Sequence, residues 1–108
     1  MRYSLFLDDE RHPPANGRWV VARSVAQAIR IVEEKGYPQF VSFDHDLGYD
    51  LNKNEPCPDG LDFAHFLINL DMDTNRMPEG FQYYVHSQNP VGVENIRGLL
   101  DCYLRVRL

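Results

Sequence analysis

Cysteine is scarce in this chain, with only Cys57 and Cys102 among 108 residues. They lie far apart, form no Cys-x-x-Cys pair and have no companions at metal-ligand spacing. Neither a zinc ribbon nor a disulfide framework is written here, and two ordinary thiols in a reducing compartment are expected. Positive charge is also short: 11 Lys and Arg stand against 16 Asp and Glu, a net charge of -5. That balance removes the basic footprint needed to track along nucleic acid. A small anion could still be held locally, by a metal ion, a helix N-terminus or a few arginines. No apolar run approaches the roughly 20 residues that cross a bilayer, so no membrane partner is expected. The opening MRYSLFLDDE is too short and too acidic for a signal peptide. Repeats and low-complexity tracts are missing too. What is left has the length of one domain, residues 1–108, in a soluble, cytoplasmic protein.

Breakers and apolar runs divide that domain. YSLFL (3–7) reads as a buried strand ending in Asp8, Asp9 and Glu10. RHPPANGR must then be loop, because Pro13-Pro14 and Asn16-Gly17 both interrupt regular structure. WVVA (19–22) is a second strand. Ser24 and Gln27 form a capping box for a helix whose apolar stripe is Val25, Ala28, Ile29 and Val32, and Lys35-Gly36 stops it. FVSF (40–43) is the third strand. YDLNKNEPCPDG (49–60) is a loop long enough to act as a flexible lid. A second helix is expected from about Leu61 to Leu70, then a loop, DMDTNRMPEG, with Asp71 and Asp73 in solvent. FQYYV (81–85) is the fourth strand. Asn89 as N-cap and Pro90 at the first helical position open a last helix, whose core face is Val93, Ile96, Leu100 and Tyr103.

Strands alternating with helices predict an α/β fold with an open, mostly parallel four-stranded sheet. One link is awkward. Some eleven residues join strands one and two, where a parallel crossover needs about a dozen. An irregular crossover is favoured over an antiparallel second strand.

Three of these strands end in chemistry. Asp8-Asp9-Glu10, Asp44-His45-Asp46 and His86-Ser87-Gln88-Asn89 each follow an apolar run. Ligands of open parallel sheets bind at the carboxyl ends of the strands, so all three clusters fall on one edge. Crowded carboxylates repel unless a cation sits among them, and Asp8, Asp9 and Asp44 therefore predict a divalent ion, Mg²⁺ or another hard cation. One Asp alone would be read as a turn cap. His45 and His86 titrate near neutrality and are candidates for base and acid in phosphoryl chemistry. His86 and Ser87 precede a helix N-terminus suited to phosphate, with Asn89 partly structural and Arg11 able to clamp an anion. His65 is expected to pack at the core edge and His12 to be exposed. Trp19, Tyr83 and Tyr84 are expected to pack in the core or along strands.

In this order the clusters resemble a receiver domain, the CheY-like (flavodoxin-like) fold of two-component signalling. Receivers place an acidic pair after strand one, an Asp after strand three and a Ser or Thr after strand four. Those positions correspond to Asp8 and Asp9, Asp44, and Ser87. The chain departs from ordinary receivers in lacking the first helix and the fifth strand with its Lys and helix, and in carrying His45 and His86. LDDERHPP, SFDHDLG, DGLDFAHFL and VHSQNPVGVENI resemble a narrower family, the cyclic-phosphate processing receiver-like domain. The resemblance covers nearly the whole chain. It implies a metal held by Asp8, Asp9 and Asp44, with the Asp46 backbone carbonyl completing the set. It further implies proton transfer by His45 and His86, and phosphate contacts from Ser87 and Asn89. The implied substrate is a cyclic phosphate end, such as the 2′,3′-cyclic phosphate of cleaved RNA, in RNA repair or tRNA processing. The other expectation is a non-catalytic module that binds a phosphorylated end or a protein partner and modulates another enzyme.

Overall fold

The structure is a computed structural model describing residues 2–15 and 17–107. In chain order the elements are β1 (Ser4–Leu7), β2 (Trp19–Ala22), α1 (Val25–Lys35), β3 (Phe40–Phe43), β4 (Tyr49–Asp50), β5 (Glu55–Pro56), α2 (Gly60–Thr74), β6 (Gln82–Val85) and α3 (Pro90–Val106). Four strands make one sheet in the order β2-β1-β3-β6, every neighbouring pair parallel. This is the open parallel α/β sheet that the alternation of elements predicts, and the receiver-like fold that the resemblance implies.

The short first crossover is therefore real, and local hydrogen bonds explain how so few residues suffice. Asp8 Oδ1 accepts from the backbone N–H groups of Glu10 and Arg11, which turns the chain sharply at the end of β1. Arg23 then gathers the turn, its Nη1 donating to the carbonyls of Asp8 and Arg11. Gly17 is exposed, as a loop breaker should be, while Asn16 lies outside the described residues.

Side chains alternate across a strand, so matched residues of parallel neighbours share a face. Leu5, Leu7, Val41, Phe43 and Val85 form one core with Val25, Ala28 and Val32 of α1, Phe63 and Leu67 of α2, and Ile96 and Leu100 of α3. Phe6, Ser42 and Tyr84 are matched on the other face. Phe6 is buried outside that core, against Trp19 and His86. The described helices thus gather on one face of the sheet.

Three loop expectations are corrected. Residues 49–60 are not loop throughout, because Tyr49–Asp50 pairs antiparallel with Glu55–Pro56 and the Cys57 N–H donates to the Gly48 carbonyl. The second helix runs four residues beyond Leu70, to Thr74, and ends at Asn75 in the left-handed conformation. Asp71 is consequently in a helix and buried. Its carboxylate accepts from the Met77 N–H, the Tyr103 hydroxyl and the Arg107 guanidinium. The ligands that bury it come from residues 6 to 36 positions away, which no local pattern announces. His65 faces solvent on α2 instead of packing at the core edge, and Tyr84 is 61% exposed. Cys57 and Cys102 are free thiols, and among the described residues no helix is long and apolar enough to cross a membrane.

Candidate metal and phosphate site

The sheet register delivers the site. Leu7 pairs with Phe43, and Phe43 with Val85. Asp8, Asp44 and His86 each follow one of these residues, so they form the next rung across three adjacent strands. The ladder continues through them: the Asp44 N–H donates to the Leu7 carbonyl at 2.8 Å, and the His86 N–H to the Phe43 carbonyl at 2.9 Å. One donor atom from each of the three side chains lies within 4.8 Å of the others.

Asp8 is 1% exposed. Burial pushes its carboxyl pKa up, but the backbone N–H groups of Arg11 and Glu10 and the His86 ring outweigh it, holding the group below its ordinary value. Asp44 goes the other way. Burial and the charge of Asp8 raise its pKa, only partly offset by the His45 N–H, the Ser87 hydroxyl and His86. An ionised carboxylate held against its own preference is what a cation would relieve.

His86 is held on every side. Nε2 lies 3.0 Å from Asp8 Oδ2, and Nδ1 lies 2.7 Å from Ser42 Oγ. Its ring stacks on Phe6, with centroids 4.6 Å apart and planes at 2°. Ser42 is a residue that sequence reasoning passes over as a filler in a strand. Its position two residues before Asp44 puts it on the site's face, and its hydroxyl is the only polar group in FVSF. That was the available signal.

A cleft of about 450 Å³ opens above the rung. Asp8, Asp9, Glu10, Asp44 and Asp46 line it with carboxylates, Arg11 with a guanidinium, and Gly48, Ser87, Gln88 and Asn89 complete the wall. Arg11 is anchored, with Nη1 donating to the His86 carbonyl and Nε 3.9 Å from Asp8 Oδ2. Asn89 caps α3 by accepting from the Gly92 N–H, and its Nδ2 reaches Asp46. Pro90 has no N–H and does not line the cleft, so α3 reaches the wall only through its cap residue, Asn89. Asp9 lines the cleft but stands outside the group of three, and so does the Asp46 side chain.

His45 departs from its expected position. Its Nδ1 lies 2.8 Å from Asp46 Oδ1 and its Nε2 3.5 Å from Asp59 Oδ2, and it lines no part of the cleft. The ring packs against the start of α3, where a Cβ on Gly92 would meet it at 2.4 Å. Asp59 is there because it caps α2 in a reciprocal capping box with Asp62. The same helix start clips the site from behind: the Gly60 N–H donates to the His45 carbonyl, and a Cβ on Gly60 would meet the Asp44 carbonyl oxygen at 2.1 Å. Gly48 turns the chain away from the site with a φ of 95°.

Two carboxylates and an imidazole within reach of one ion, in a roomy polar cleft, fit a divalent cation. With five carboxylates and one guanidinium on its wall, the cleft as it stands repels phosphate. An ion would reverse that field locally. The family model of the cyclic-phosphate processing Receiver domain matches residues 3–102. No curated protein and no solved structure matches.

Proposed function

The chain belongs to the cyclic-phosphate processing Receiver domain family, and from that premise we propose that it opens cyclic phosphodiester ends with the help of a divalent cation. The substrate proposed is a 2′,3′-cyclic phosphate of RNA or of a nucleotide, as left by RNA cleavage, and the setting RNA repair or tRNA processing. The observation that carries this reading is the rung of Asp8, Asp44 and His86, whose two carboxylates stand in the wall of an anionic cleft while the imidazole lies behind it.

In this reading Asp8 and Asp44 hold the ion by carboxylate oxygens, with Asp9 and the Asp46 carbonyl beside it. The bound ion, Mg²⁺ or a similar cation, would polarise a phosphoryl oxygen and make a water more acidic. Arg11 and the Ser87 hydroxyl contact the non-bridging oxygens, and the α3 dipole adds a favourable field. Asn89 keeps the helix start and Asp46 in place. His45 positions Asp46 and the α2 cap from outside the cleft. His86 has both ring nitrogens engaged inside the protein, so the proton for the departing ribose oxygen comes from cleft water.

The test is incubation of the purified protein with a 2′,3′-cyclic-phosphate oligonucleotide and Mg²⁺, with and without EDTA. A phosphomonoester should form only with the ion, and Asp44→Ala should lose it. Equal turnover by wild type and Asp44→Ala would end the proposal. One observation favours a second reading: neither imidazole lines the cleft. A module that binds the cyclic end without cutting it needs no acid or base there, and binding without turnover would select that reading.

A further inference from the structure

We propose that His86 is a ligand of the ion through Nε2, that Ser42 positions it, and that the site therefore prefers a first-row transition ion to Mg²⁺. This rests on the cation-dependent reading above and goes beyond it in naming the ligand atom and the class of ion.

Geometry supports the ligand. Neighbouring ligand atoms on an octahedral ion with bonds of about 2.1 Å stand roughly 3.0 Å apart. His86 Nε2 and Asp8 Oδ2 are already 3.0 Å apart without an ion. Asp44 supplies an oxygen within 4.8 Å of both. His86 reaches this position by leaning back across β3 to Asp8 on β1, and Phe6 and Ser42 fix that lean.

Ser42 holds Nδ1 in either tautomer, which leaves Nε2 as the nitrogen turned toward Asp8. With the ring proton on Nδ1, the Ser42 oxygen accepts it, and the Nε2 lone pair faces Asp8 and the ion. Without the ion the pattern runs in reverse, with Nε2–H donating to Asp8 and the Ser42 hydroxyl donating to Nδ1. A hydroxyl serves both forms because it donates and accepts. Ser42 is 5% exposed on its strand, outside the cleft wall, so it has no direct path to substrate. Partners of this kind fix the orientation of a metal-bound imidazole and typically alter metal affinity 10–100-fold.

The selectivity follows from the nitrogen. Mg²⁺ favours oxygen donors and binds them with several waters kept. Imidazole suits ions such as Fe²⁺, Ni²⁺, Cu²⁺ and Zn²⁺, with Mn²⁺ the weakest binder of that series. His86 adds a nitrogen to the oxygens of Asp8 and Asp44, which favours a transition ion over Mg²⁺.

The test uses Mn²⁺ as probe on the full chain, by pulsed electron paramagnetic resonance and by competition with Mg²⁺. Wild-type protein should show ¹⁴N coupling to bound Mn²⁺ and bind Mn²⁺, the weakest of the transition series, more tightly than Mg²⁺. Ser42→Ala should keep the coupling yet bind Mn²⁺ about tenfold more weakly, with its unfolding curve recorded to confirm a folded protein. Bound Mn²⁺ without nitrogen coupling in the wild type overturns the inference whatever the variant does. If Mg²⁺ and Mn²⁺ bind equally through oxygen and cyclic-phosphate opening persists, this inference fails and the proposed function stands. If neither ion binds, both fail.

Discussion

Asp44 illustrates how a single residue can work against the fold that holds it. Its pKa is raised by burial and by the charge of Asp8, so its ionised form at neutral pH costs stability. Asp44→Asn should therefore raise the midpoint of thermal unfolding of the ion-free protein while abolishing cation binding. Calorimetry with and without a divalent ion measures both, and a destabilised Asn variant would contradict the charge argument. Asp71 has the opposite sign. The Arg107 guanidinium holds its carboxyl well below the ordinary carboxylate range, outweighing burial, with Tyr103 and the Met77 N–H assisting. A depressed folded value means stability present above the unfolded value and lost as pH falls through the folded one. Asp71→Asn should cost about 2 kcal/mol at neutral pH, as weakening hydrogen bonds to a charged group does, and the gap to wild type should close as pH falls below about 4. Urea unfolding at several pH values checks it. Of these two residues only Asp44 was legible in the sequence, because it ends a strand; Asp71 looked like loop because its partners are distant.

Among the elements, α2 does more than cover the sheet. Its first residue, Gly60, sits so close to the Asp44 carbonyl that any side chain would meet backbone at 2.1 Å. Backbone cannot rotate aside as a side-chain tip can, so Gly60→Ala should cost about 1–3 kcal/mol and weaken cation binding together with stability. Denaturant titration and a metal-binding isotherm on the same variant test the coupling. Asp59→Ala removes the cap and a neighbour of His45, and should cost about 1 kcal/mol. The strand ends and helix starts are readable from alternation, caps and breakers, so the convergence of three strand ends is legible in the sequence. The direction of each imidazole was not. His45 and His86 both follow an apolar strand within two residues, yet one faces the rung and the other the caps of α2 and α3. Strand parity and the close approach at Gly92 separate them, and both depend on register and packing across the chain.

For the whole molecule, the ion and the fold are linked. Five carboxylates crowd the cleft of a chain with net charge -5. An ion that binds only the folded form should raise stability by about 2.7 kcal/mol at a hundred times its Kd. Thermal midpoints should rise with divalent ion, return with EDTA, and respond little in Asp44→Ala. With α1, α2 and α3 gathered on one face, the rung's own face carries no described helix, and Arg11 reaches the His86 carbonyl there. The jaws of the site, Asp8 and Asp44, stand on adjacent strands whose backbones are about 4.8 Å apart by peptide hydrogen bonding alone. Their opening is a gauge cut by the main chain and not by the packing around it. Substitutions that loosen the helices should change how long the jaws stay assembled, while the width they offer an ion stays the same.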